Sequence, residues 1–119
     1  MLFRVTTHRT EVPVNRLGIT AIIGDMNIKV LAIDEGVDGT FVAIEMSGVE
    51  GELVIDGWRL LGDGKLLEPS GAVLDGACDA STKVPDTGAS IQCFLRFPAV
   101  KAVQAVAYTR AGEQRQWAP

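Results

Sequence analysis

The chain is poor in the residues that build catalytic and metal centres. It contains one histidine, His8, and two cysteines among 119 residues. Serine and cysteine catalysis of the dyad or triad type needs a histidine that the fold holds in place. His8 lies beside Arg9 and Thr10 in a polar segment, where an exposed, neutral imidazole is expected. We therefore predict no histidine-based catalysis, and one histidine is too few for a blue-copper centre.

Clusters of positive charge and long apolar runs are also missing from the sequence. Eleven lysines and arginines are scattered among fifteen acidic residues, which gives a net charge of −4. Binding to a nucleic-acid backbone depends on clustered cations. No stretch reaches the roughly 18 apolar residues of a membrane-spanning helix. We expect neither a nucleic-acid nor a membrane partner.

The compartment is predicted from the N-terminus, and the two cysteines do not settle it. Arg4 and Arg9 interrupt the apolar character of a signal peptide, so a cytoplasmic protein is favoured, with a mature exported domain as the alternative. Cys78 and Cys93 lack the Cys-x-x-Cys spacing of zinc and redox sites. They would form a disulfide in an oxidising space. We favour the other interpretation, in which Cys93 is a buried apolar side chain and Cys78 a loop thiol.

Turn signals are what the sequence has in abundance. Asp-Gly is a tight-turn dipeptide because glycine adopts positive φ without steric cost, and aspartate tolerates it. Between such turns, apolar and polar residues alternate with the period of half-buried strands. The pattern predicts an all-β, antiparallel, immunoglobulin-like sandwich of about seven to nine short strands, in a single domain over residues 1–119. The four pairs are Asp38-Gly39, Asp56-Gly57, Asp63-Gly64 and Asp75-Gly76.

The strands are expected where apolar or β-branched runs lie between turns. Residues 91–97 show the cleanest alternation, with Phe94 as the exception on the outer face. Residues 100–109 suit a helix or a strand, and we choose a strand because it completes the sheet. Residues 72–74 are expected to pair briefly at an edge. The other expected strands are residues 2–7, 19–23, 27–33, 40–46, 53–55, 58–61, 66–67 and 113–117.

Acidic loops offer two further chemistries. One loop partly matches the positions of a calcium-binding loop, but its third position is glycine and strands flank it, so a hairpin is favoured. Weak calcium binding by Asp75, Asp79 and Asp86 is left open. Carboxylate pairs could serve glycoside hydrolysis, but loop carboxylates on an acidic domain are usually solvated. We predict no catalytic, metal or cofactor residues. The calcium-like positions are Asp34, Gly36, Asp38, Gly39 and Glu45, and the carboxylate pairs are Asp34 with Asp38 and Asp75 with Asp79.

Residues 27–117 resemble the telokin-like, immunoglobulin-like domains of small exported bacterial proteins. Residues 39–46 are similar to the long central strand of that family, and residues 58–65 to its hairpin around an Asp-Gly turn. Residues 88–98, followed by 105–108, are similar to the strand after its Pro-x-x-Gly loop. The sequence departs from the family in having no leader, no lipoprotein cysteine and no asparagine at the end of the central strand. The resemblance implies a binding or assembly module without catalytic residues.

Two aromatic residues are candidates for an interface. Phe94 lies on the outer face of its strand, and Trp117 is expected at an exposed end. Large apolar side chains on an outer face can form the centre of a protein interface, with Arg96 and Arg115 at its rim. We predict a non-enzymatic module that binds a protein partner or a second copy of itself. The alternatives are a loop covering Phe94, a small-molecule or carbohydrate pocket lined by Trp58 or Tyr108, and a hydrolase using loop carboxylates.

Overall fold

The computed structural model describes residues 14–86 and 88–119, and nine strands lie within these ranges. The strand expected over residues 2–7 and the histidine His8 lie outside the described residues. The strands are β1 (Val14–Arg16), β2 (Thr20–Ile23), β3 (Met26–Gly36), β4 (Gly39–Ser47), β5 (Trp58–Gly62), β6 (Lys65–Leu67), β7 (Ser90–Phe97), β8 (Val103–Arg110) and β9 (Glu113–Ala118).

The strands form two sheets that pack face to face. One sheet has the order β1-β9-β8-β5-β6 and the other has the order β2-β3-β4-β7. Neighbouring strands are antiparallel except β1 and β9, which run parallel. The alternation in sequence explains the packing, because successive side chains of a strand point to opposite faces. In β4, Val42, Ile44 and Met46 are fully buried between the sheets. The predicted β-sandwich is confirmed.

The chain crosses from one sheet to the other between β1 and β2. Gly18 makes this crossing with a φ of 88°, a left-handed conformation that favours glycine. Its N–H donates to the carbonyl oxygen of Val30 at 2.7 Å, which fixes the crossing to β3. A predicted Asp-Gly turn is also confirmed between β5 and β6. Asp63 and Gly64 both have positive φ, as the tight primed hairpin turns require.

Three aromatic side chains form the centre of the core. The Trp58 ring lies 4.9 Å from that of Tyr108 and 5.9 Å from that of Trp117, measured between centroids. Trp58 and Trp117 are fully buried, and Tyr108 is nearly so. Residues 100–109 were ambiguous in sequence, and the strand is confirmed because β8 lies between β5 and β9.

Two predicted strands do not form in the segments that join the sheets. Residues 53–55 are not a strand, and Leu53 makes only an isolated bridge with Lys83. Residues 72–74 also do not pair. Instead Ala77 bridges to Phe94 on the outer edge of β7. Gly76 turns this part of the chain with a φ of 80°, so it follows the edge without forming a regular ladder.

Candidate functional site: an aromatic face of the four-stranded sheet

The four predicted interface residues lie in two separate places. Phe94 and Arg96 belong to β7, an edge strand of the four-stranded sheet. Arg115 and Trp117 belong to β9, an interior strand of the five-stranded sheet. One surface formed by all four residues is therefore not present, and each pair has its own surroundings.

The predicted exposure of Trp117 is wrong. The side chain is fully buried, and its Nε1 donates a hydrogen bond to the carbonyl oxygen of Ile19 at 2.8 Å. Trp117 lies opposite Val106 in the register of β9 with β8, so it shares the inward face of that strand. Its nearness to the chain end suggested exposure, but β1 flanks β9 on its other side and makes it an interior strand.

Arg115 has a structural position close to Trp117 and does not border Phe94. Its guanidinium donates to the carbonyl oxygen of Ile22 in β2 at 3.0 Å and forms an ion pair with Glu113 at 3.1 Å. Arg115 and Trp117 therefore both bind backbone carbonyl groups of the segment that contains β2. Together they join the five-stranded sheet to the edge of the four-stranded sheet.

Phe94 and Arg96 are part of an outward-facing cluster on the four-stranded sheet. Its other members come from β4, where Phe41 lies opposite Arg96 and Ala43 lies opposite Phe94. The rings of Phe41 and Phe94 meet edge to face, with centroids 5.5 Å apart. All four side chains are half-buried, so each keeps surface open to a partner. We call Phe41, Ala43, Phe94 and Arg96 the aromatic face.

Polar side chains border the aromatic face along the same two strands. Glu45 accepts a hydrogen bond from Gln92 at 3.2 Å, and its carboxylate lies 3.9 Å from the ammonium group of Lys29. On the other side, Arg96 lines a groove of about 310 Å³ together with Asp38 and Glu68. The surface thus has an apolar centre between charged side chains, which is the arrangement found in protein interfaces.

A loop segment lies against one side of Phe94 without enclosing it. Phe94 donates its N–H to the carbonyl oxygen of Gly76 at 3.1 Å and accepts from the N–H of Cys78 at 2.8 Å. A Cβ atom at Gly76 would lie 3.2 Å from the Phe94 ring, so the glycine packs closely on that ring. The same segment carries Val73, which is 81% exposed, and the partly exposed Leu74. Both sequence alternatives are therefore partly realised, because a loop touches Phe94 but leaves part of it accessible.

The cysteines differ from the favoured prediction. Cys78 and Cys93 form a disulfide, with their Cα atoms 5.3 Å apart and a sequence separation of 15. The interpretation as a loop thiol and a buried apolar side chain is wrong. Both residues face the core, since Cys78 is buried and Cys93 packs against the core from β7. The bond therefore connects the loop segment to the inward side of the strand whose outward side carries Phe94.

The acidic positions do not assemble into a metal centre. Within residues 14–86 and 88–119, no group of three or more histidine, cysteine or acidic side chains is placed to hold a metal ion. Asp34 and Asp38 lie at the tip of the β3–β4 hairpin, whereas Glu45 lies in the middle of β4 beside Lys29. The five calcium-like positions therefore do not converge on one loop.

One member of the predicted carboxylate pairs has an environment unsuited to a general acid. Hydrogen bonds from the side chain and backbone of Ser81, with weaker ones from Thr82, lower the pKa of Asp79. A general acid at neutral pH needs a raised pKa instead. The aromatic residues expected to line a pocket are also placed elsewhere, because Trp58 and Tyr108 are buried in the core.

A groove with a volume of about 520 Å³ lies at one end of the sandwich. Glu35 and Val37 of the β3–β4 hairpin form one wall, and Val100 and Lys101 form the other. Asp63 accepts hydrogen bonds from the N–H groups of Lys101 and Ala102, so its carboxylate is used in holding that loop. The described residues also contain no helix that is both long and apolar enough to cross a membrane.

Comparison with known proteins supports the architecture. The structure is similar to that of MPT63, a secreted protein from Mycobacterium tuberculosis, with a TM-score of 0.69 and 12% sequence identity. The similarity covers 92% of this chain and 98% of that one, and at this identity it shows the shared β-sandwich fold alone. No family model and no curated protein matches the chain.

Sequence reasoning missed two members of the aromatic face, Phe41 and Ala43. The signal was present, because both alternate with the buried Val42 and Ile44 along β4 and must point outward. The pairing of Phe41 with Arg96 depends on the register between β4 and β7, which are about fifty residues apart in sequence.

Proposed function

We propose that this protein is an exported, non-enzymatic binding module that recognises another protein surface through its aromatic face. The simplest partner is a second copy of the chain, with the two aromatic faces packed together about a two-fold axis. The telokin-like, immunoglobulin-like relationship suggested by the sequence belongs to the same proposal. The observation that carries the proposal is the partly exposed Phe41–Phe94 pair, whose rings meet edge to face on two adjacent strands.

The chemistry of the aromatic face suits a protein partner. Aromatic and arginine side chains dominate the binding energy of protein interfaces when they are centrally placed and surrounded by polar groups. Phe41 and Phe94 supply the apolar centre, Arg96 supplies a planar cation beside it, and Lys29 and Glu45 supply the rim. Because the strands already fix these side chains, the side chains would lose little conformational entropy when a partner binds.

The disulfide supports export of the protein. Disulfides form and persist in oxidising compartments and are rare in the reducing cytosol. The structurally similar MPT63 is a secreted protein, which agrees with the exported alternative. The sequence favoured a cytoplasmic location on its N-terminus and left the cysteines undecided, and the bond between Cys78 and Cys93 supports the exported alternative.

Site-specific photocrosslinking tests the proposal. A photoreactive phenylalanine analogue replaces Gln92, which is exposed and borders the aromatic face. A control protein carries the same analogue at Leu66, which is 65% exposed on the other sheet. Irradiation of the purified oxidised protein should give an adduct of twice the chain mass from position 92 and none from position 66. If the purified protein gives none, the same experiment in the exporting cell should give an adduct with another protein.

The Phe94→Ser variant is the matched negative control. It removes the centre of the aromatic face but leaves the inward residues Leu95 and Phe97 unchanged. The adduct at position 92 should disappear in this variant while its far-ultraviolet circular dichroism is retained. Equal yields from positions 92 and 66, or a yield that Phe94→Ser does not change, would refute the proposal.

A further inference from the structure

Residues 70–78, here called the edge segment, cover the outer edge of β7. The N–H of Ser70 donates to the carbonyl oxygen of Arg96 at 2.7 Å. Further along, Phe94 exchanges hydrogen bonds with Gly76 and Cys78 at 3.1 and 2.8 Å. These bonds occupy the N–H and carbonyl groups of Phe94 and the carbonyl group of Arg96, which an edge strand would otherwise offer to another chain. An uncovered edge is a template for pairing, so its cover controls whether the sheet can be extended.

The edge segment has little apolar burial to hold it in place. Residues 71–76 are all exposed, and they include Val73 and Leu74. The apolar anchor is Cys78 at its end, which is buried and bonded to Cys93. A segment with few buried apolar contacts opens at low free-energy cost compared with the core. The disulfide is therefore the principal restraint that keeps the edge segment on β7.

The strands beneath do not depend on the edge segment in the same way. Leu95 and Phe97 of β7 are buried in the core, and β7 pairs with β4 over eight residues. Beyond the disulfide, the chain is held separately, because Val84 exchanges hydrogen bonds with Glu52 and Gly51 at 2.9 Å. Loss of the disulfide should consequently free residues 70–78 while the sandwich stays folded.

We propose that the Cys78–Cys93 disulfide is a redox-sensitive latch, and that its reduction by a thiol uncovers the edge of β7. A thiolate attacks the sulfur of Cys93, the less buried of the two residues, and Cys78 leaves as a thiolate that takes up a proton. A second thiol group resolves the mixed disulfide and frees Cys93. The reductant becomes a disulfide, and the protein gains two electrons and two protons. This inference does not depend on which partner the aromatic face binds.

Amide hydrogen exchange, followed by NMR on the whole chain, tests the latch. The spectra are recorded on the oxidised protein, on protein reduced with a dithiol, and on the double variant Cys78→Ser/Cys93→Ser. Reduction is verified by alkylation and mass. The amides of Phe94 and Cys78 (residue 78 being serine in the variant) should exchange at least about tenfold faster without the disulfide. The Thr109 amide, which donates to Gly57 in the other sheet, should change by less than about twofold.

Two results would overturn the latch. Unchanged protection at Phe94 in protein with both thiols free would mean that hydrogen bonds and packing alone hold the edge segment. Equal loss of protection at Phe94 and Thr109 would mean that the disulfide supports the whole sandwich rather than one edge. The double variant separates a true effect of the missing bond from any effect of the reductant itself.

Discussion

The indole of Trp117 should contribute more to the free energy of unfolding than that of Trp58, although both are fully buried in the same cluster. Trp117→Phe removes the part-buried hydrogen bond from Nε1 to the carbonyl oxygen of Ile19. Such a loss costs about 0.5–1.5 kcal/mol, and the space left by the smaller ring adds about 1–2 kcal/mol. We expect a total loss of about 1.5–3.5 kcal/mol in the free energy of unfolding.

The matched control is Trp58→Phe. The space left by the smaller ring is similar to that in Trp117→Phe. Trp58 Nε1, however, has no hydrogen-bond partner among the described residues, so the substitution removes a buried N–H that was already unsatisfied. This variant should lose about 1–2 kcal/mol or less. Urea unfolding followed by circular dichroism is the appropriate assay, because each variant loses a fluorescent indole. The reasoning is refuted if Trp58→Phe costs as much as Trp117→Phe at equal m-values.

Three further outcomes follow from single positions. Gly48→Ala should cost more than about 3 kcal/mol in urea unfolding, because φ is 108° and the new Cβ would lie 1.9 Å from the Asp25 carbonyl oxygen. Gly64 has a φ of 75° and open space around an added Cβ, so Gly64→Ala should cost only about 1–2 kcal/mol. Equal costs for the two variants would contradict a clash at residue 48. Burial raises the pKa of Tyr108 above its ordinary value of 10.0. The raised pKa therefore contributes in full to the free energy of unfolding below pH 10, and this contribution is lost as the pH rises through the folded-state pKa. In Tyr108→Phe, the free energy of unfolding should fall less steeply over that pH range. Because the chain has one tyrosine, absorbance at the phenolate band reports this pKa directly, and an ordinary value would refute the shift. Phe94→Ser should keep the fold and abolish any self-association seen by sedimentation, whereas an unchanged mass distribution would argue against the aromatic face as the contact.

The local sequence pattern predicted the strands better than it predicted which strands pair with each other. The alternation of residues 91–97 correctly gave β7 and the inward side of Leu95 and Phe97, because side-chain parity is a property of the strand itself. The burial of Trp117 depends on β1 pairing with β9 from just over a hundred residues away. Nothing in residues 113–117 carries that information, so the position was misjudged.

The disulfide illustrates the same limit at the candidate site. A separation of 15 residues permits a bond or two free thiols, and the choice depends on where the intervening chain returns. The edge segment returns Cys78 to the inward side of β7 through hydrogen bonds to Phe94 that no motif encodes. Phe94 itself was found from sequence, since one large apolar residue at an outward position is visible in the alternation.

The parallel pairing of β1 with β9 has a practical consequence for displaying this protein. It places residue 118 beside Arg16, on the side of the molecule where Arg115 reaches β2. β7 lies three strand spacings from β2 within its sheet, a lateral distance of about 15 Å. A tether attached after residue 119 would therefore hold the molecule by the flank opposite β7, which leaves the Phe41–Phe94 pair open to a soluble ligand.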